Sequence, residues 1–314
     1  MKVSISNLPV WRDKHAGKEE SLKASLSNLP VWHDKHAGKE ESMNINKVTA
    51  MYFSATGTTK KICETISDRL TKNIKCEKAV YDFTLKEKRM GFPDFAKDDL
   101  VVFGTPTYAG RVPNVLLKYL DTLNGNGALA IPVVLFGNRN YDDALIELRD
   151  ILEKHGFKTI AAGAFVGEHS FSKILAAGRP DDRDINEAIG FADAVYKKLS
   201  EKNCSSPIEV KGCEPIRTYY QPRDRKGNPV NILKVKPEIN KELCDNCGIC
   251  ARVCPMSSID PEDVFSYKGI CIKCGACEKK CPKHARYYTD PGYIYHRTEL
   301  ELGYERRADN ELFL

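Results

Sequence analysis

No run of about 18 consecutive apolar residues occurs in this sequence, so no membrane-spanning helix is written into it. An excess of charge is also lacking. Lys and Arg number 48 against 43 Asp and Glu, a formal +5, which is too small a surplus for a nucleic-acid-binding surface. No apolar segment follows the first lysine, so no secretory signal is expected. Without secretion, a disulfide framework is the weaker explanation of any clustered cysteines, and metal or redox chemistry the stronger. Two nucleotide motifs are missing as well. There is no G-x-x-x-x-G-K-[ST], hence no NTPase P-loop, and no G-x-G-x-x-G to mark a dinucleotide site. Apolar residues still make up 42% of the 314, enough for real cores in about two domains of ~100–200 residues each.

Cysteine is what the sequence has in plenty. It carries 12, and eight of them fall between Cys244 and Cys281. Before that window the chain shows three other textures. Residues 4–21 and 25–42 are a tandem duplication, SISNLPVWRDKHAGKEES and SLSNLPVWHDKHAGKEES, differing only at Ile5/Leu26 and Arg12/His33. Two polar units are too few to stack into a repeat core. Residues 1–42 are therefore expected to be an extension, disordered and outside the functional chain, which would begin at Met43. The competing reading is a docking peptide that presents Trp11 and Trp32.

From residue 47 short apolar runs alternate with amphipathic stretches. Strands are expected at 47–53, 79–81, 100–104, 131–137 and 160–166, and helices at 60–73, 115–122, 142–155 and 185–201. Such alternation predicts a doubly wound parallel sheet, whose ligands bind beyond the carboxyl ends of the strands. The loop after the first strand is Ser54-Ala-Thr-Gly-Thr-Thr59. Its hydroxyls and the helix N-terminus that follows make a phosphate cradle; the competing reading is an ordinary capped helix start. Two further loops, residues 105–113 (TPTYAGRVP) and 137–143 (GNRNYDD), each set a tyrosine among small residues. Tyr108 and Tyr141 could thus sandwich a planar ring, and the three loops together fit a mononucleotide with a flat headgroup.

The segment Phe53-Ser-Ala-Thr-Gly-Thr-Thr59 resembles the FMN-phosphate loop of flavodoxins, and residues 105–113 and 137–143 are similar to that family's two isoalloxazine loops. The resemblance covers about residues 46–200. It implies a five-stranded flavodoxin-like sheet and bound FMN, with Ser54, Thr56, Gly57, Thr58 and Thr59 on the phosphate. Thr105, Pro106, Thr107, Tyr108, Ala109 and Gly110 would form one ring loop and Gly137, Asn138, Arg139 and Tyr141 the other, with the two tyrosines flanking the ring.

Residues 202–238 contain Pro207, Pro215, Pro222, Pro229 and Pro237 and read as a basic linker. Residues 211–241 hold eight basic against three acidic residues. Either the strip docks an acidic partner or nucleic acid, or it is a solvated linker beside anionic cofactors. Cys63, Cys76, Cys204 and Cys213 match no metal spacing and are expected to be free thiols.

Residues 244–255 and 271–282 both spell C-x₂-C-x₂-C-x₃-C-P. Three cysteines at steps of three let one tight loop wrap three irons of a cubane, and in two-cluster ferredoxins the fourth ligand comes from the other motif. Cys244, Cys247, Cys250 and Cys281 are thus expected on one [4Fe–4S] cluster. Cys254, Cys271, Cys274 and Cys277 are expected on the other. Structural zinc, which uses paired ligands, has no natural partition of these eight. Residues 239–288 resemble a bacterial-type two-cluster ferredoxin, a small α+β domain, with 289–314 as a tail. The order of flavodoxin-like domain (43–201), linker (202–238) and ferredoxin resembles the EFR family of flavodoxin–ferredoxin fusion proteins, including Gly178-Arg-Pro-Asp181 and the aromatic, charged tail.

Together these features lead to an electron-transfer protein linking one-electron carriers to a flavin, with protein donors and acceptors and no catalytic residue. The alternative is a flavin reductase of a small molecule, with Arg139, Asp142, Glu168 and His169 as polar groups near the ring. A reducing cytoplasm is expected for exposed clusters. Cofactors would also change the charge. About −2 for each cluster and about −2 for the phosphate bring the loaded protein near −1.

Overall fold

The segment KVTAMY is mostly apolar with β-branched Val48 and Thr49, and it forms the interior strand β1 (Lys47–Tyr52), buried from Val48 onward. In the computed structural model, which describes residues 44–314, this strand starts a βα series. It continues through α1 (Thr58–Ile74), β2 (Glu77–Asp82), β3 (Asp99–Pro106), α2 (Asn114–Leu120) and β4 (Leu129–Phe136). Helix α3 (Ala144–Lys154), β5 (Lys158–Thr159), β6 (Ala162–Val166) and α4 (Asp182–Ser200) complete it. The duplicated segment lies outside the described residues.

The sheet order is β2-β1-β3-β4-β6, all parallel, with β5 pairing β4 ahead of β6. Ile62, Ile66 and Leu70 of α1 and Phe191, Val195 and Leu199 of α4 pack on one face. Leu116 and Leu120 of α2 and Leu145, Leu148 and Leu152 of α3 cover the other. Both faces of β3 and β4 are therefore buried, as a parallel sheet requires. This is the expected flavodoxin-like α/β architecture, with a strand count that differs. The strand expected at 160–166 is β6 at 162–166, preceded by the two-residue β5, whose Thr159 carbonyl accepts the backbone N–H of Ile208 (3.0 Å).

The cysteine-rich part is small. Strands β7 (Glu238–Ile239) and β8 (Arg286–Tyr287) pair antiparallel and enclose the single-turn helices α5 (Ile249–Arg252) and α6 (Ala276–Lys279). After it comes α7 (Pro291–Gly303), capped by Asp290 with Pro at its first position, and then β9 (Glu311–Phe313). Strand β9 adds to β6 antiparallel. The tail thus returns to the flavodoxin-like sheet and closes its edge. Among the described residues no helix is long and apolar enough to cross a membrane.

Candidate functional site

The loops after β1, β3, β4 and β6 meet at one end of the sheet. Gly57, at φ 101°, turns the first loop into α1, whose free N–H groups and dipole favour an anion. Thr56, Thr58 and Thr59 line a cavity of about 450 Å³ with Pro106, Thr107, Tyr108, Gly137, Glu168 and His169. The hydroxyl of Ser54 does not line it. That oxygen accepts the Lys60 N–H at 2.9 Å and serves as an internal cap for α1. The hydroxyls of Thr105 and Thr107 are buried without a partner, a condition that costs about 1–3 kcal/mol each. Thr107 faces the cavity, so a polar ligand there would satisfy it. The residues present fit a phosphorylated flavin.

The second ring loop departs from expectation. Tyr141 lines neither this cavity nor its neighbour. Its ring is buried against Phe136, with centroids 5.5 Å apart, and its hydroxyl donates to Glu311 of β9 at 2.9 Å. Asn138, expected at the ring edge, is also turned away. Its amide donates to the carbonyls of Tyr304 and Arg306 (2.7 and 2.6 Å) and accepts from the Ala308 N–H (3.1 Å). Both residues anchor the tail. The reason is the tail, whose residues Tyr304, Arg306 and Ala308 hold Asn138 and whose Glu311 in β9 holds Tyr141.

The missing aromatic comes from the linker. Tyr108, Ala109, Gly110, Gly137 and Arg139 form one side of a chamber of about 950 Å³. Tyr220 and Pro222 of the linker, Ile232 and Leu233, Ile272 and Lys273, and His296 and Leu300 of α7 form the rest. The Tyr220 N–H donates to the carbonyl of Ala109 at 2.8 Å, and the Arg139 guanidinium sits 4.6 Å from the Tyr220 ring centre. Ala109, Arg139 and His296, which stacks on the Tyr220 ring at 6.1 Å, all hold Tyr220 from far along the chain, so local sequence carried no signal of it. The phosphate and ring cavities share Thr107, Tyr108, Gly137, His169 and Ser170.

His169 stands where both cavities meet. Its Nδ1 accepts the Phe171 N–H at 3.1 Å, which leaves Nε2 to carry the proton. Burial, reinforced by Lys279, His296 and Arg139, pushes the imidazole down to about 3. It is a neutral N–H donor throughout the physiological range. Arg139 pairs with Asp142. Glu168 lines the phosphate cavity, but its carboxylate is held by Lys279 of α6.

The eight motif cysteines converge as two quartets. Cys244, Cys247, Cys250 and Cys281 line a cavity of about 340 Å³; Cys254, Cys271, Cys274 and Cys277 line another of about 350 Å³. Backbone N–H groups of Ser258, Lys273 and Ala285 donate to the sulfurs of Cys254, Cys271 and Cys281 at 3.3, 3.4 and 3.3 Å. Donors aimed at sulfur suit thiolate ligands. Each quartet thus surrounds its own cavity, lined otherwise by mostly apolar residues such as Ile259, Ile270 and Ile272 or Ile239, Ile249 and Val264. Cys63, Cys76, Cys204 and Cys213 are free thiols outside both cavities.

Cys274 lines its own quartet's cavity and also the phosphate cavity beside Tyr108. The chains are pressed together at this point. Gly275 (φ 76°) has no room for a side chain, since a Cβ would lie 2.5 Å from the carbonyl oxygen of Ser170. Nearby, Lys279 Nζ donates to the carbonyls of His169 (2.7 Å) and Ser172 (3.0 Å). Cys274 and Ala276 belong to the same apolar core as Phe103 and Val134 of the sheet.

Comparison with known proteins agrees with this division. A flavodoxin domain model matches residues 50–164, and two 4Fe-4S binding domain models match residues 236–259 and 268–289. The ferredoxin-type protein NapF of Escherichia coli K12 is 29% identical over 80 residues, 25% of this chain. The chain spans 41% of the length of the curated relatives it matches. Among solved structures, it is similar to a flavodoxin of Streptococcus pneumonia TIGR4 (21% identity, 50% of this chain and 99% of that one, TM-score 0.34). It is also similar to a Fusobacterium nucleatum flavodoxin mutant bound to flavin mononucleotide (19% identity, 49% and 96%, TM-score 0.34). The chain carries a flavodoxin domain followed by two 4Fe-4S binding domains, and its cofactors are FMN and two [4Fe–4S] clusters.

Proposed function

We propose that this protein links one-electron carriers to a flavin within a single chain, as the resemblance to flavodoxin–ferredoxin fusions of the EFR family implies. When bound, each cluster supplies one-electron exchange and FMN supplies one- or two-electron exchange. The chain's own residues hold and orient them. Cys244, Cys247, Cys250 and Cys281 hold one cluster, and Cys254, Cys271, Cys274 and Cys277 the other. Thr56, Thr58 and Thr59 with the α1 N-terminus bind the phosphate, while Tyr108, Ala109, Gly110, Gly137 and Arg139 border the ring. His169 offers it a neutral N–H. The observation that carries this reading is Cys274, which belongs to the walls of a quartet cavity and of the flavin cavity at once. Protein donors and acceptors in a reducing cytoplasm complete the proposal.

Cofactor analysis of anaerobically purified protein tests it. About eight iron, eight sulfide and one FMN per chain are expected; zinc without sulfide overturns the cluster reading.

The roof over the ring cavity favours a second reading, reduction of a small molecule. Tyr220, Leu233, Lys273 and His296 close a side that a protein partner would otherwise approach. Arg139 and His169, but not Asp142, line that chamber. Photoreduced protein mixed with small oxidants and with protein carriers separates the two readings. Rapid turnover with small oxidants alone selects the second.

A further inference from the structure

Arg286 is a buried cation without a carboxylate. It sits in β8 opposite Ile239 of β7 and is 2% exposed. One guanidinium nitrogen donates to the Tyr267 hydroxyl at 2.7 Å. The other terminal nitrogen donates to the Val264 carbonyl at 2.6 Å and to the sulfur of Cys250 at 3.2 Å. Its Nε is buried with no partner. The groups with negative character closest in effect on it include the Tyr267 phenol and the thiols of Cys250 and Cys277. These two cysteines come from different quartets.

The placement is that of a partition. Arg286 lines the cavity of the Cys244, Cys247, Cys250 and Cys281 quartet. Tyr267, whose ring centre lies 5.5 Å from the guanidinium carbon, lines the cavity of the other. Arg179, the other buried arginine among the described residues, is paired with Asp184. Burying a guanidinium without a counter-charge is costly, and no acid is supplied here. The negative charge that would compensate it is that of the two thiolate-bound clusters, and net charge and hydrogen bonds to sulfur are among the levers that set cluster potentials.

Resting on the cluster reading above, we propose that Arg286 is a positioning residue that sets potential. It is the counter-cation shared by both quartets, and it raises the reduction potential of both clusters. A fixed positive charge favours the more negative, reduced form of each. The effect is larger on the quartet containing Cys250, which also receives its N–H.

The test is a redox titration of the full holo-protein, followed by electron paramagnetic resonance, in the parent, Arg286→Met and Arg286→Lys. Methionine removes charge and donor while filling similar space; lysine keeps a charge and removes the fork that reaches Cys250. Iron and sulfide are measured on each sample, so failure of the cluster reading shows as metal content in the parent, apart from any shift in potential. With full iron, both midpoints are expected to fall in Arg286→Met, by unequal amounts, and one midpoint to fall in Arg286→Lys. Unchanged midpoints in iron-replete variants overturn the proposal. If only the lysine variant retains iron, its single shifted midpoint decides in favour, and two unshifted ones decide against. Loss of iron from both variants makes Arg286 a structural support and also overturns it.

Discussion

At the scale of single residues, glycine separates local from tertiary constraint. Gly57 and Gly275 both adopt positive φ at the start of a helix, but a Cβ at Gly57 meets nothing within 4 Å, whereas at Gly275 it meets the Ser170 carbonyl. Gly57→Ala should cost about 1 kcal/mol from backbone strain. Gly275→Ala adds a backbone clash to that strain and should cost roughly 2–4 kcal/mol, with urea unfolding of the two variants as the measure. The structure places the Ser170 loop directly against Gly275. Tyr141 is the other instructive residue. Tyr141→Phe should leave FMN affinity within about twofold, because the ring lies off the cavity, and lower stability by about 0.5–1.5 kcal/mol through the lost bond to Glu311. Fluorescence titration with FMN and urea unfolding read the two effects separately. A large loss of FMN affinity would return Tyr141 to the flavin site.

Among elements, the linker is the segment whose role changed most. Part of its basic excess is paired inside the chain. Arg217 clamps Asp143 at the start of α3 (2.6 Å), Lys211 pairs with Glu311 (2.6 Å), and Arg225 pairs with Glu299 of α7 (2.9 Å). The Arg217 guanidinium, with the N–H groups of Arg217 and Cys213, holds the buried Asp143 carboxyl down to about 2. A carboxyl depressed in the folded state contributes stability above its ordinary pKa, and that contribution is lost as pH falls through the lower value. Asp143→Asn should therefore destabilise the protein at pH 6, and the difference from the parent should shrink towards zero as pH approaches 2. Urea midpoints across pH 2–6 check this; a difference independent of pH would assign the effect to packing. The main βα elements were legible because their apolar periodicity is local. Helix α7 had a legible start in Asp290-Pro291, and reading residues 289–314 as a tail passed over it. Strand β9 had no such signal, since three residues become a strand only when β6 offers them an edge.

For the whole molecule, the consequence of the packing around Cys274 and Gly275 is kinetic. With the cysteine quartets docked on the flavin loops, exchange between them needs no encounter between molecules. Flavin reduction after rapid reduction of the clusters should be first order and unchanged over a tenfold range of protein concentration. A rate proportional to concentration would mean that the docked arrangement is not the one that transfers electrons. The two cysteine motifs, the phosphate-type loop and the order of domains were legible in sequence alone, because three of the four cysteines of each quartet, and the hydroxyls of one loop, lie within a few residues of each other. The choice of Tyr220 over Tyr141 to line the chamber beside Tyr108, the closure of the sheet by the tail, and the isolation of Arg286 between two quartets were decided by tertiary structure. Each depends on segments far apart in the chain meeting at one point, and no local pattern encodes which of several tyrosines or arginines arrives there.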